Sequence, residues 1–147
     1  VTTVAWDGKT LAADRQVSSG SAVYRATGKL HAIPGGVIGC CGSVPQIQRA
    51  LNWIRAGMKG DAPELDEFGA ISVIDGEVAI WDDETPIPIG AGERIAIGSG
   101  GSWAMAAMDF GKSAIEAVEY AATRDHDTGC GVDSVQPTMR SARKRGR

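Results

Sequence analysis

The 147-residue sequence predicts an α+β fold, a four-layer αββα sandwich in which two antiparallel sheets face each other and helices cover their outer sides. Short β-type runs come in pairs separated by Asp-Gly or Pro-Gly, the mark of hairpins. Helical segments are instead grouped, one after the early strands and two in succession late in the chain. Strands and helices therefore do not alternate as they would around a doubly wound parallel sheet.

Thr2–Trp6 and Lys9–Ala13 form the first strand pair, with Asp7-Gly8 as a two-residue turn. Residues 16–28 are polar and read as a loop holding one short strand near Ala22–Arg25. Lys29–Ile33 and Val37–Cys41 pair through Pro34-Gly35-Gly36, and the second is apolar enough to be buried on both faces. Pro45 opens a helix to about Met58, in which Ile47, Ala50, Leu51, Ile54 and Met58 recur at helical spacing, and Gly57 and Gly60 mark the end. Gly69–Ile74 and Glu77–Trp81 flank Asp75-Gly76 as a further hairpin, and Asp82–Pro88 reads as a proline-punctuated loop. Arg94–Ile97 is a strand that runs into Gly98-Ser99-Gly100-Gly101. Ser102–Arg124 is helical, with Trp103, Ala106, Ala107 and Phe110 on one face, then Ala114, Ile115, Val118 and Ala121. Gly111 and the capping-box pair Ser113 and Glu116 split it into two helices. Val132–Gln136 is the last strand; residues 1–137 make one domain and 138–147 a basic tail.

Composition narrows the function classes. At 43% hydrophobic and 22% charged residues the chain is that of a globular protein with a real core. Residues 1–139 carry 10 Lys/Arg against 18 Asp/Glu, while Arg140, Arg143, Lys144, Arg145 and Arg147 add the remaining 5 cations. A body of charge −8 argues against nucleic-acid binding as its main role. Cys40, Cys41 and Cys130 have no zinc-like spacing and read as small buried residues of a reducing, cytoplasmic compartment. No run of about 18 apolar residues suggests a membrane span. The glycines around Ser99 lack the Gly-Lys-Ser/Thr of a phosphate-binding loop, and no Gly-x-Ser-x-Gly elbow accompanies His31 or His126. No metal or cofactor is expected.

The stretch that carries chemistry is the start. If residue 1 is removed, the Thr2 hydroxyl stands beside a free amine, and the pair can act as nucleophile and base. An unperturbed α-amine titrates at about 7.7–8.0, and a neighbouring ammonium lowers that value. Such a threonine needs a lysine, a carboxylate to anchor it, and backbone amides to stabilise the anionic intermediate.

Three separated motifs supply this set. Thr2-Thr3-Val4 with Ala12-Ala13-Asp14-Arg15, then Ile95-Ala96-Ile97-Gly98-Ser99-Gly100-Gly101 with Ala104 and Ala107 behind it, and Arg124-Asp125-His126-Asp127-Thr128-Gly129 follow in order. In these motifs the chain resembles the threonine peptidases of the proteasome β-subunit and HslV type, within the N-terminal nucleophile (Ntn) hydrolases. The resemblance runs from Thr2 to about Gln136. The chain is shorter than typical members, as would suit a short bacterial or phage-like one. The resemblance implies Thr2 as nucleophile, its amine as base, Lys29 as the catalytic lysine, Asp14 as its anchor and Gly42 as the oxyanion-hole amide. Ser99, Asp125 and Thr128 would surround the amine, with threonine in place of the family's usual serine at 128. Val17, Cys40 and Val44 fall where the walls of a small to medium apolar substrate pocket are expected.

The resemblance implies peptide or unfolded-protein substrates and a self-compartmentalising homo-oligomeric ring, and it leaves room for a separate ATPase unfoldase. Two other readings fit the same residues. One is a catalytically silent scaffold that keeps Val1; the other is a small-molecule amidase with the same nucleophile.

Overall fold

The computed structural model describes residues 2–26 and 28–139. Val1 and the tail cations from Arg140 onward lie outside the described residues. One sheet contains β1 (Val4–Trp6), β2 (Leu11–Asp14), β10 (Ile95–Ile97) and β11 (Val132–Val135) in the order β10-β1-β2-β11. The other runs β5-β6-β7-β8-β9, comprising Leu30–Ile33, Gly36–Gly42, Phe68–Ile74, Glu77–Asp82 and Thr85–Ile89. All of these strand pairs are antiparallel. A separate hairpin consists of β3 (Gln16–Ser19) and β4 (Ala22–Arg25).

Strand alternation builds the layers, because neighbouring side chains point to opposite faces. In β1 and β2, Val4, Trp6, Leu11 and Ala13 turn inward and meet Val37, Ile71, Val73 and Val78 of the second sheet. Ala5 and Ala12 turn outward against α2 (Gly101–Asp109) and α3 (Ala114–Ala122). In the second sheet, Ile38, Cys40, Ala70 and Trp81 face outward toward Ala50, Leu51 and Ile54 of α1 (Val44–Arg55). The order is α1, sheet, sheet, α2 with α3, the predicted αββα arrangement. Gly39 lets the sheets approach closely: a Cβ there would lie 2.7 Å from Val4 Cγ1.

Asp75-Gly76 forms the expected two-residue turn, with Ile74 paired to Glu77 and positive φ at both central residues. Met58 N–H donates to Trp53 O and Gly57 N–H to Ile54 O, which closes α1 in a Schellman motif. Ser113 and Glu116 make both capping-box bonds.

Five local expectations are corrected. The first turn spans Asp7–Thr10, since Trp6 pairs with Leu11. Asp7 Oδ1 accepts from the Lys9 and Thr10 amides, and Oδ2 accepts from Ala114 N–H at 2.8 Å, tying the turn to α3. Residues 16–25 form two strands, because Gly20-Ser21 closes a tight turn between Ser19 and Ala22. Asp82–Pro88 is not all loop: Thr85–Ile89 is an edge strand, a place where prolines are tolerated. The buried face of α2 is Gly101, Ala104, Ala107 and Met108, while Trp103 is exposed and Phe110 is 89% exposed. Small residues let the helix lie close to Ala5 and Ala12, where an indole or phenyl ring would hold it away. In α3, Ala117 is buried and Ile115 exposed for the same reason.

Candidate active site

Register alone brings most of the site together. Val4 pairs with Ile97, so two residues earlier Thr2 comes opposite Ser99; Val4 also pairs with Ala13, which sets Thr3 opposite Asp14. Thr2 N–H donates to Ser99 Oγ at 3.1 Å, and Asp14 N–H donates to Thr3 O at 3.2 Å. Gly98 makes the turn possible. It has φ +92°, and a Cβ on it would lie 1.9 Å from the Thr2 carbonyl oxygen.

The second sheet contributes Lys29, just before β5. Its carbonyl accepts from Cys40 N–H, and its side chain reaches the end of the first sheet. Lys29 Nζ donates to Thr2 Oγ1 at 3.0 Å and to Asp14 Oδ1 at 2.9 Å, and the residue is only 8% exposed. Asp14 is wholly buried. Besides the lysine it accepts from three backbone amides, Thr3 N–H on Oδ1 and Gln16 and Gly129 N–H on Oδ2. A buried carboxylate with this many donors is compensated and rigid.

The turn after α3 closes the network. Ser99 Oγ donates to Asp125 Oδ2 at 2.6 Å, and Thr128 Oγ1 donates to the same oxygen at 2.7 Å. Thr128 has one hydroxyl proton, and it is engaged in the hydrogen bond to Asp125. The 2.8 Å contact between Thr3 Oγ1 and Thr128 Oγ1 therefore has Thr3 as donor. Gly100 leaves room for this pair, since a Cβ there would lie 2.0 Å from Thr3 Oγ1.

Burial opposes ionisation of Asp125, but the hydrogen bonds from Ser99, Thr128 and the Asp127 amide lead the opposing effects and hold its carboxyl below the ordinary value. A carboxyl lowered by folding contributes stability above its unfolded value, near 3.9, and loses it as pH falls through the folded value. Asp125→Asn should therefore cost stability at neutral pH, and its gap from the unmodified protein should close below about pH 4. Urea titrations of both proteins from pH 7 downward check this; a gap independent of pH would refute it.

A pocket of about 310 Å³ opens beside Thr2, and Lys29, Val17, Cys40, Gly42 and Val44 are among its walls. Gly42 ends β6 with φ +117°, and a Cβ there would sit 2.0 Å from Glu67 O. Val44, at the start of α1, is exposed on the rim. Burial, with the neighbouring Cys41, pushes the Cys40 thiol up to about 12, so it lines the wall as a neutral group and not as a nucleophile. Gln16, Ser18, His31 and Gln48 also line the pocket. Burial and the nearby Arg55 lower the His31 value, which favours the neutral imidazole.

All seven residues predicted as catalytic thus lie around Thr2 or line the adjoining pocket, and Val17, Cys40 and Val44 line that pocket too. Sequence reasoning missed the Thr3 hydroxyl, the Gln16 amide and the pocket-lining Gln48. The true register of the first hairpin sets Thr3 opposite Asp14, whereas a two-residue turn at Asp7-Gly8 would have set it opposite Ala12; nothing local marks the other two. Asp125, His126 and Asp127 cluster closely enough to hold a cation, but two oxygens of this group are already hydrogen-bonded within the turn.

Facing antiparallel sheets between outer helices make up the fold of the proteasome β-subunit and HslV type. Solved structures share it. BPH of Thiobacillus denitrificans aligns with a TM-score of 0.72 at 17% identity, covering 96% of this chain and 98% of that one. The same protein in complex with epoxomicin aligns at 0.69 and 15%, covering 95% and 98%. The eukaryotic HslV of Trypanosoma brucei aligns at 0.66 and 23%, covering 91% and 97%. No family model and no curated protein sequence matches the chain.

Proposed function

We propose that the chain, once Thr2 is its first residue, is a threonine peptidase. The observation that carries this reading is the placement of Lys29 Nζ 3.0 Å from Thr2 Oγ1 and 2.9 Å from buried Asp14, with Ser99 on Thr2 N. The free amine takes the hydroxyl proton as Oγ1 attacks the substrate carbonyl, and the neighbouring ammonium disfavours protonation of that amine beforehand. The Gly42 amide faces the developing oxyanion. Collapse of the intermediate passes the proton from the amine to the departing peptide amine and leaves an ester on Thr2. Water, deprotonated by the same amine, then hydrolyses the ester and restores the site.

The substrates are peptides or unfolded chains, and the enzyme works in the cytoplasm as a homo-oligomeric ring, with a separate ATPase as a possible feeder. The likeness to HslV supports the ring, and the free thiols of Cys40, Cys41 and Cys130 suit a reducing compartment. Among the described residues no helix is long and apolar enough to cross a membrane.

The test compares protein made with Thr2 first against protein that retains Val1. The former should cleave fluorogenic peptides and gain the mass of epoxomicin, the compound held by the Thiobacillus protein. The Val1 form and Thr2→Ala should do neither. Cleavage that survives Thr2→Ala would sink the mechanism, and cleavage of simple amides but not peptides would move the protein to the amidase class.

A further inference from the structure

We infer that Gln16 is a positioning residue that fixes the wall of the substrate pocket to the turn carrying Asp125 and Thr128; this assignment rests on the hydrolase reading above. The β3–β4 hairpin is a two-stranded sheet of its own, so neither main sheet holds it through a ladder. A lone hairpin is marginal in water. Val17 and Ser18 of that hairpin nevertheless line the pocket, and a wall that discriminates between side chains has to stay in place.

Gln16 supplies the cross-link. It is 6% exposed, and its side-chain Nε2 donates to His126 O at 2.7 Å and to Ser18 Oγ at 3.3 Å. Its backbone N–H donates to Asp14 Oδ2 at 3.2 Å. One residue thus touches the wall, the carboxylate that holds Lys29, and the turn after α3. The turn is shaped to receive it: a Cβ at Gly129 would lie 2.7 Å from Gln16 Oε1. The base of the hairpin has its own anchors, Arg15 N–H on Gly129 O and the Arg15 guanidinium on Asp133 of β11. Those bonds hold the entry to the hairpin; Gln16 holds the part that forms the wall.

A side chain seated in the pocket presses against Val17 and Ser18, and the Gln16 amide carries that load to the turn. Without the amide, the hydroxyl, amine and lysine of the site keep their places while the wall loosens. The loss should therefore fall on discrimination and on KM, not on turnover.

The test uses protein beginning at Thr2 and two peptide substrates that differ only in the pocket-filling residue, leucine or glycine. Gln16→Met keeps the length of the side chain and removes the donor. It should cut the leucine-over-glycine ratio of kcat/KM by about tenfold, mostly through KM. Ser18→Ala, which removes one of the two acceptors, should shift the ratio the same way by about two- to threefold, and stands in should Gln16→Met fail to fold. A ratio unchanged in a folded variant, or a fall in kcat equal for both peptides, would overturn the assignment. Should the unmodified protein cleave neither peptide, the hydrolase reading fails and the tether is read alone: Gln16→Met should speed amide hydrogen exchange across residues 17–25, and unchanged exchange would refute it.

Discussion

Lys29→Ala is expected to lower turnover by about 10³-fold or more while the protein stays folded. The lysine is the cation in contact with Thr2 Oγ1, at 3.0 Å, in a nearly water-free position where its field is little screened. Removing it leaves the amine of Thr2 easier to protonate and takes the ammonium away from the hydroxyl. The fold survives because Asp14 keeps three backbone donors. Lys29→Arg should not rescue activity, since a planar guanidinium does not place a point charge between Thr2 and Asp14. Steady-state kinetics on a fluorogenic peptide, with a thermal melt as control, decide this. A folded Lys29→Ala protein with full activity would show that another group does the work.

The second large effect is on stability. Asp14→Ala takes from buried Lys29 the carboxylate that it holds at 2.9 Å and orphans the amides of Thr3, Gln16 and Gly129. Breaking a buried pair from one side costs about 3–5 kcal/mol, and unsatisfied buried donors add about 1–3 kcal/mol each. Against a total stability of about 5–15 kcal/mol, Asp14→Ala should be unfolded or close to it at 25 °C. The pair is therefore asymmetric: its lysine is dispensable to the fold and its aspartate is not. Urea denaturation of Asp14→Ala, Asp14→Asn and Lys29→Ala tests the ranking. An Asp14→Ala protein as stable as Lys29→Ala would refute it.

The layers were legible because alternation in Val4–Trp6 and Val37–Cys41 assigns each side chain to a face. The pairing of Thr2 with Ser99 and of Thr3 with Asp14 was not: the first joins strands about 90 residues apart, and the second depends on the turn spanning Asp7–Thr10, since a two-residue turn at Asp7-Gly8 would set Thr3 opposite Ala12. Helix α2 was harder. Gly101–Asp109 has no charged residue before its last position, so no polar face marks which side meets the sheet. Bulk then misled: Trp103 and Phe110 suggested the core, whereas the alanine row made the closer contact. Gln16 was invisible for another reason. Its partners are a carbonyl 110 positions away and a hydroxyl on its own strand, and neither leaves a local pattern.

The edge strand β9 bears on how this protein behaves when concentrated. Pro86 and Pro88 sit on alternate positions of Thr85–Ile89, opposite Trp81 and Ala79. A proline tolerated in such a strand directs its nitrogen away from its neighbour, so the outer side of β9 lacks amide donors at two successive outward positions. An incoming strand would find no donors there for its own carbonyl oxygens. Templated growth of β-structure, the usual route from a folded β-protein to fibrils, is closed at this end of the five-stranded sheet.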